Sequence, residues 1–448
     1  MISNVTNIDA ATSTRAMTRQ DFRTLGLSAL GGALEFYDFI IFVFFATVIG
    51  QLFFPPEMPD WLVLIQTFGI FAAGYLVRPL GGIILAHYGD RYGRKRVFAF
   101  SIMLMAVSTL GMALMPTYAS IGVAAPLMLI VLRMLQGAAI GGEVPGAWTF
   151  VSEHVPARRV GLACGFLTSG LSFGIMLGSL IATAINSIFT PEDVAAYAWR
   201  IPFLLGGGFG LFAVYLRRWL EETPIFEEMK KAKALTKELP VSNVLKNYRH
   251  GVVISVLLTW VLSAAIVVTT LMTATFLQKL YGYSARESLA ATSFGTLFLI
   301  VGVIAAGALV DRFGSGRFFM TASVFFGVST FLFYSFAGHS IEVMFALYGL
   351  MGLSVGMTGA VPYVMVRAFP APVRYSGMSF AYNMSYAIFG GLTPIAVTTA
   401  LAWSPMAHAW YLVFIAFLAF FIGLYLLRNS HVVEHDVGIE ELEKMRGQ

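Results

Sequence analysis

Apolar stretches of about 20 residues, the length of helix that crosses a bilayer, recur along the whole chain. Short clusters of Gly, Pro, Asp and basic residues separate them. The pattern predicts twelve helices, at 24–50, 61–86, 96–115, 124–149, 160–187, 199–219, 251–278, 287–309, 317–337, 341–366, 376–401 and 406–427. One connection, 220–250, is long and polar, and divides the helices six and six. The expected organisation is a tail at 1–23, an N-terminal six-helix bundle at 24–219, the middle loop at 220–250, a C-terminal bundle at 251–427 and a tail at 428–448. The first apolar stretch is no cleavable signal: it is too long and carries Glu35 and Asp38.

Composition turns this pattern into an all-α membrane protein. Hydrophobic residues make up 58% of 448, and charged residues only 12%, against about 25% in a soluble domain. Mean hydropathy is +0.77. A soluble fold of this length has no core large enough for so much apolar surface. A disordered chain, a nucleic-acid-binding domain and a cytosolic enzyme are excluded. The single cysteine, Cys164, excludes a disulfide framework and a cysteine-built metal site. No nucleotide-binding loop, metal cluster or nucleophile constellation stands out. The reading therefore expects no enzyme activity, no metal and no cofactor beyond a coupling ion.

Charge sets the expected orientation. With an even number of helices both termini share a side, and about 24 of the 29 Lys and Arg residues fall in the tails and connections of that side. The opposite side keeps Arg200, Lys279 and Arg286, while Arg78 and Arg133 lie inside helices. The positive-inside rule places the basic side, both termini and the middle loop in the cytoplasm.

The two halves echo one another. Asp90-Arg91-Tyr92-Gly93 follows helix 2, and Asp311-Arg312-Phe313-Gly314 follows helix 8. Arg158-x-x-Gly161 follows helix 4, and Arg374-x-x-Gly377 follows helix 10. The offsets, 221 and 216 residues, are each close to half the chain. Two such echoes predict parallel six-helix repeats, the plan of alternating-access carriers.

These residues resemble the major facilitator superfamily. Gly89-Asp90-Arg91-Tyr92-Gly93-Arg94-Lys95 is similar to its signature loop between helices 2 and 3, and Arg133-x-x-Gln136-Gly137 to its helix 4 pattern. Further blocks resemble the metabolite:H⁺ symporter family: Leu34-Glu35-Phe36-Tyr37-Asp38-Phe39, Val77-Arg78-Pro79-Leu80-Gly81-Gly82, Gly141-Gly142-Glu143, Trp199-Arg200-Ile201-Pro202-Phe203, Leu220-Glu221-Glu222-Thr223-Pro224 and Phe369-Pro370-x-x-Val373-Arg374-Tyr375-Ser376-Gly377. The resemblance implies a major facilitator fold in the inner membrane. It also implies symport of a small metabolite, such as citrate, 2-oxoglutarate, shikimate or an osmolyte, with protons. The tail ends at Gln448, short for the osmosensing proline/betaine subtype, so a member outside that subtype is expected. Ser315-Gly316 replaces the second basic pair usual after helix 8, which predicts a weaker gate there. By resemblance Asp90 sits at a helix N-terminus of the other half, and Arg91 and Arg94 join an ion-pair network with Glu153. With their repeat partners Arg158, Asp311, Arg312 and Arg374, these form the expected cytoplasmic gate.

Charged groups at membrane depth are costly, about 2.5–3.5 kcal/mol each on the permissive scale, and so mark function. At 1.5 Å per residue, Glu35 and Arg78 each lie about 18 Å from the basic side, and Glu143 about 15 Å. All three are expected near mid-membrane, with Asp38 one turn above Glu35 on the same face and Arg133 nearer the outer mouth. Burial favours the neutral carboxyl and a nearby guanidinium favours the carboxylate. An anionic substrate on Arg78 therefore favours protonation of Glu35 or Asp38, which is symport. A static ion pair of Arg78 with Glu143 or Glu35 is the alternative. No His lies at mid-membrane.

The C-terminal half offers Thr259, Trp260, Tyr363, Tyr382 and Asn383, of which Trp260, Tyr382 and Asn383 are the candidate substrate contacts beside Arg78 and Arg133. Glu35, Asp38 and Glu143 are the candidate proton-coupling groups. Gly170, Gly174 and Gly178 make a small-residue groove on helix 5. The Gly-Pro pair usual there in drug/H⁺ antiporters is absent. The reading is a proton-coupled importer of a small carboxylate-bearing metabolite, expected to act as a monomer in the lipid bilayer. A di- or tricarboxylate and a zwitterion such as betaine both fit. An exporter or drug/H⁺ antiporter, and a sensor on the carrier fold, are the alternatives.

Overall fold

The computed structural model describes residues 17–92, 94–141, 143–216, 240–433, 435 and 437, leaving out the side chains of 86–99, 216, 240–243, 372 and 431. Among the described residues it is wholly helical. Twelve helical segments run in chain order among the described residues, ten or up to eleven of them long and apolar enough to cross a membrane. The first six are α1 (Arg19–Phe44, continued by Ala46–Phe53), α2 (Asp60–Tyr92), α3 (Arg94–Leu114), α4 (Ala124–Ile140, continued by Glu143–His154), α5 (Val160–Ile188) and α6 (Arg200–Leu216). The second six are α7 (Arg249–Lys279), α8 (Ala285–Phe313), α9 (Ser315–Phe336), α10 (Ile341–Arg367), α11 (Ala371–Ser385, continued to Leu401) and α12 (Ala407–Arg428). A short segment, Pro191–Ala198, precedes α6 at a bend of 46°.

Sequence explains the ends. Thr18 and Asp21 cap α1 reciprocally, Thr18 N donating to Asp21 Oδ2 (2.7 Å) and Asp21 N to Thr18 Oγ1 (3.3 Å). Ser284 and Glu287 do the same for α8. Arg200, in the Trp-Arg-Ile-Pro-Phe block, donates from Nη1 to Ala113 O (3.1 Å) and Met115 O (2.9 Å), covering the last carbonyls of α3. That block is structural: Pro202 O also accepts from Tyr37 Oη (2.8 Å), tying α6 to α1.

Several helices expected to be continuous are interrupted in mid-span. Helix 1 breaks at Phe45. A π segment interrupts α7 at Val267–Met272 and α11 at Tyr386–Gly390, and a 3₁₀ segment interrupts α10 at Gly356–Ala360. Such irregular turns inside long helices gather at functional positions. Pro79 inside α2 has no N–H, so the carbonyl of Tyr75 loses its helical donor beside Arg78.

Glycines set the close seams. A Cβ on Gly137 would fall 1.8 Å from Gly74 O, and one on Gly141 2.4 Å from Arg78 O, so α2 and α4 pack backbone to backbone. Gly170 and Gly174 pack on the Ala29 and Ala33 carbonyls of α1, as their spacing predicts. The halves meet along α5 against α8 and α2 against α11.

Candidate functional site

Arg78 sits at the seam between the halves. Its guanidinium is fully buried and lies 4.9 Å from the ring centre of Tyr386, 5.3 Å from those of Tyr75 and Tyr382, and 5.9 Å from that of Phe39. Among the described residues none of its three nitrogens makes a hydrogen bond, and no ion pair holds it. Tyr75 and Tyr386 stack across the seam with centroids 5.3 Å apart, and Trp148 of α4 meets Tyr382 edge-on at 5.3 Å. Asn383, next to Tyr382, donates through Nδ2 to the carbonyl of Gly141 in α4 and to Ser379 O (2.9 Å).

The carboxylates occupy two different environments. Glu35 and Glu143, each 4% exposed, line one small cavity of about 20 Å³ between α1, α4 and α5, with Ser28 and Gly32 beside them. It has room for a water molecule. Asp38 does not share that face. Three residues along a helix turn the side chain about 60° away from Glu35. Its carboxylate packs against Gly206 and Gly210 of α6, where a Cβ on Gly206 would fall 2.1 Å from Oδ1. Among the described residues neither Asp38 oxygen has a hydrogen-bond partner. Thr109 nearby spends its proton on Met105 O (3.0 Å) and accepts from Gln136 Nε2 (2.8 Å).

Arg133 is sealed inside the N-terminal bundle rather than placed at a mouth. Its Nη1 donates to Phe39 O (3.0 Å) and to the Gln136 side chain, and its guanidinium lies over the rings of Phe39 (4.4 Å) and Phe42 (4.7 Å). Gln136 Nε2 binds Asp38 O (3.0 Å). Arg133 and Gln136 thus grip two successive carbonyls of α1, and the Phe39 ring lies near both guanidiniums, 4.4 Å from Arg133 and 5.9 Å from Arg78. Trp260 faces its own half: Nε1 donates to Tyr411 Oη (2.9 Å), and the ring stacks on Phe389 at 4.0 Å. Thr259 points to Met365 Sδ (3.6 Å), and Tyr363 carries the Arg367 guanidinium over its ring (4.8 Å).

On the basic face three links join the halves among the described residues. Asp311 accepts from the backbone N–H groups of Gly161 (Oδ1, 2.8 Å) and Leu162 (Oδ2, 2.8 Å) at the start of α5. Arg374, fully buried, approaches Glu153 at 3.6 Å, and its Nε donates to Val366 O (2.9 Å). Arg367 Nη2 donates to Ala157 O (3.1 Å). Arg158, the sequence echo of Arg374, is exposed, as is Arg312, whose guanidinium lies over Phe313 (5.3 Å). The side chains of Asp90, Arg91 and Arg94 lie outside the described residues. On the opposite face Lys279 Nζ meets Asp60 Oδ2 at 3.2 Å, and deeper in that half of the seam Ser179 and Ser293 hydroxyls meet at 2.8 Å. The halves therefore touch toward both faces.

Two pseudo-equivalent bundles with a charged, interrupted seam are the architecture the sequence echoes predict. The Major Facilitator Superfamily pattern matches residues 28–316. The chain belongs to the Major Facilitator Superfamily. It is a multi-pass inner-membrane secondary transporter, not an enzyme. It is similar to the glycine betaine/proline/ectoine/pipecolic acid transporter OusA of Dickeya dadantii, with 32% identity over 96% of this chain and 86% of that one. The proline/betaine transporter of Salmonella typhimurium is 32% identical over 94% of this chain and 85% of its own. Among solved structures, the fold resembles a D-xylose–proton symporter (TM-score 0.70, 16% identity, 90% of this chain and 97% of that). It also resembles the partially occluded, inward-open xylose transporter XylE of E. coli (TM-score 0.71, 15% identity, 92% and 98%). Relatives named for proline and betaine appear despite the short tail, so tail length does not argue against that subtype.

Sequence reading of this major facilitator protein missed Tyr75, Tyr386 and Phe39 around Arg78, Gly206 under Asp38, and Arg367. Helical spacing held the signal for two of them: Tyr75 is three residues from Arg78, and Tyr386 four from Tyr382.

Proposed function

We propose that the protein imports a small zwitterion, carrying a carboxylate and an ammonium group, together with protons. The observation that carries this is Arg78: a fully buried guanidinium at the seam of the two halves with no hydrogen-bonded anion among the described residues. A buried unpaired charge is too costly to keep without use, and a guanidinium fork is built for a carboxylate. Relatives named as betaine and proline transporters support a zwitterion over a di- or tricarboxylate. Carboxylates in the N-terminal half supply the proton site. Asp38, buried against α6, is one candidate, and the cavity between Glu35 and Glu143 accommodates a water that relays the proton. The cytoplasm lies on the basic side, with both termini, so the Asp311, Arg374 and Arg367 links close the inner mouth and the Lys279–Asp60 pair the outer one. The functional unit is a monomer.

Uptake by proteoliposomes tests the reading. Labelled glycine betaine and proline should accumulate when a proton gradient, acid outside, is imposed, and only equilibrate without it. Accumulation that ignores the gradient, or of citrate in preference to both zwitterions, refutes it.

A further inference from the structure

The rings around Arg78 have a use of their own. Phe39 and Tyr75 belong to the N-terminal half, Tyr382 and Tyr386 to the C-terminal half, and all four centroids lie within 6 Å of one guanidinium carbon. That is the distance at which an aromatic face attracts a cation. The cage is assembled only where α2 meets α11, so it exists only while the halves are together at that seam.

We infer that this cage is the subsite for the substrate's ammonium group, and that Arg78 occupies it as a placeholder in the empty carrier. The inference rests on the zwitterion reading above. When substrate enters, its carboxylate draws the guanidinium off the rings, and its methylated or secondary ammonium takes the vacated place. One cation exchanges for another, so the rings are never left without a positive charge once the halves have closed. Because each half contributes two rings, an ammonium held between them also ties the halves together, and occlusion follows from binding. Nitrogen substituents matter here: a quaternary ammonium has no N–H to satisfy and presents only a soft cationic surface, which rings accept and water hydrates weakly. A primary ammonium needs hydrogen-bond acceptors that rings do not supply.

Half-ligands separate the two subsites. Binding of glycine betaine, tetramethylammonium and acetate is measured by calorimetry on the purified full-length carrier in nanodiscs, with thermal stability followed in parallel. Arg78→Gln removes the placeholder, so tetramethylammonium should bind at least about tenfold tighter than to wild type, while acetate binding is lost. Arg78→Lys keeps a cation on the rings and should show no such gain. In the otherwise native carrier Tyr386→Leu should weaken betaine binding about tenfold or more, whereas Tyr386→Phe, which keeps the ring, should not. If Arg78→Gln binds tetramethylammonium no tighter than wild type yet loses acetate, the cage assignment falls and the carboxylate clamp stands. If Arg78→Gln still binds acetate as wild type does, the clamp itself falls. Equal betaine binding by the Tyr386 Leu and Phe substitutions also overturns the cage, independently of any Arg78 variant.

Discussion

Asp311→Asn isolates the strength of one link between the halves. The carboxylate takes two backbone N–H groups, each at 2.8 Å, from the first turn of α5. Hydrogen bonds to a charged acceptor contribute about 1.5–3 kcal/mol each and neutral ones about 0.5–1.5. Asn keeps one acceptor oxygen and turns an amide N–H₂ toward the other donor, so one bond is lost and the second becomes neutral. The favourable match of an anion with a helix N-terminus disappears as well. Since the carboxylate is only partly buried, we expect a net loss of about 2 kcal/mol, near the low end of the range. That shifts the closed–open balance of the basic face about thirtyfold. The native reporter is Cys164, the single cysteine, fully buried one turn along α5 from Gly161 and with Asp311 and Arg367 as charged neighbours. Alkylation requires that this seam part, so its rate follows the open population. Labelling of Cys164 in membranes by N-ethylmaleimide should therefore accelerate by more than an order of magnitude, about thirtyfold, with little change in thermal stability of the helices themselves. A labelling rate equal to wild type shows that the Asp311 bonds do not limit opening, and refutes the latch.

Arg78→Lys should retain the fold but weaken binding of a zwitterionic substrate by about 1.5–3 kcal/mol, on the order of ten- to a hundredfold by calorimetry. Unchanged affinity would return Arg78 to a packing role. Glu35→Gln and Asp38→Asn should each abolish accumulation driven by a proton gradient in proteoliposomes while leaving some substrate exchange; two variants that still concentrate substrate like wild type exclude both carboxylates as the proton site. Gly206→Ala places a methyl 2.1 Å from Asp38 Oδ1 and should cost about 1–3 kcal/mol of stability, read as a lowered unfolding temperature; an unchanged temperature means the α1–α6 contact is looser than described. Arg374→Ala removes one partner of nearly buried Glu153 and should raise Cys164 labelling as Asp311→Asn does, a result that equal labelling contradicts.

Length and composition alone made the twelve spans legible, because a bilayer leaves few ways to satisfy backbone groups. The Asp90/Asp311 echo also carried geometry: Asp311 does meet a helix N-terminus of the other half. The Arg158/Arg374 echo marks matching ends of the two halves, yet the side chains differ: Arg374 is buried against Glu153 and Arg158 is exposed. A local repeat does not encode which face of a helix the partner bundle will cover. Depth counting placed Glu35 and Glu143 together, yet it could not tell that Asp38 turns toward α6. The deciding residues there are Gly206 and Gly210, which no local pattern in α1 announces. Mid-span interruptions in α7, α10 and α11 were hidden for a related reason: π and 3₁₀ turns follow from packing against neighbours more than from the run of apolar residues.

The two faces of the carrier are held by bonds of different kinds, and that difference has a consequence for how it meets its solvent. Lys279 and Asp60 form an ion pair with side chains 41% and 90% exposed, fully within reach of mobile ions. The Debye length shrinks from about 10 Å at 0.1 M salt to about 3 Å at 1 M, so dissolved electrolyte loosens this pair. Arg374 and Glu153, at 0% and 6% exposure, lie where no ionic atmosphere penetrates. Rising ionic strength on the Lys279 side thus acts on that ion pair and leaves the buried Arg374–Glu153 pair of the basic face alone, so the two ends of the seam respond differently to the same electrolyte.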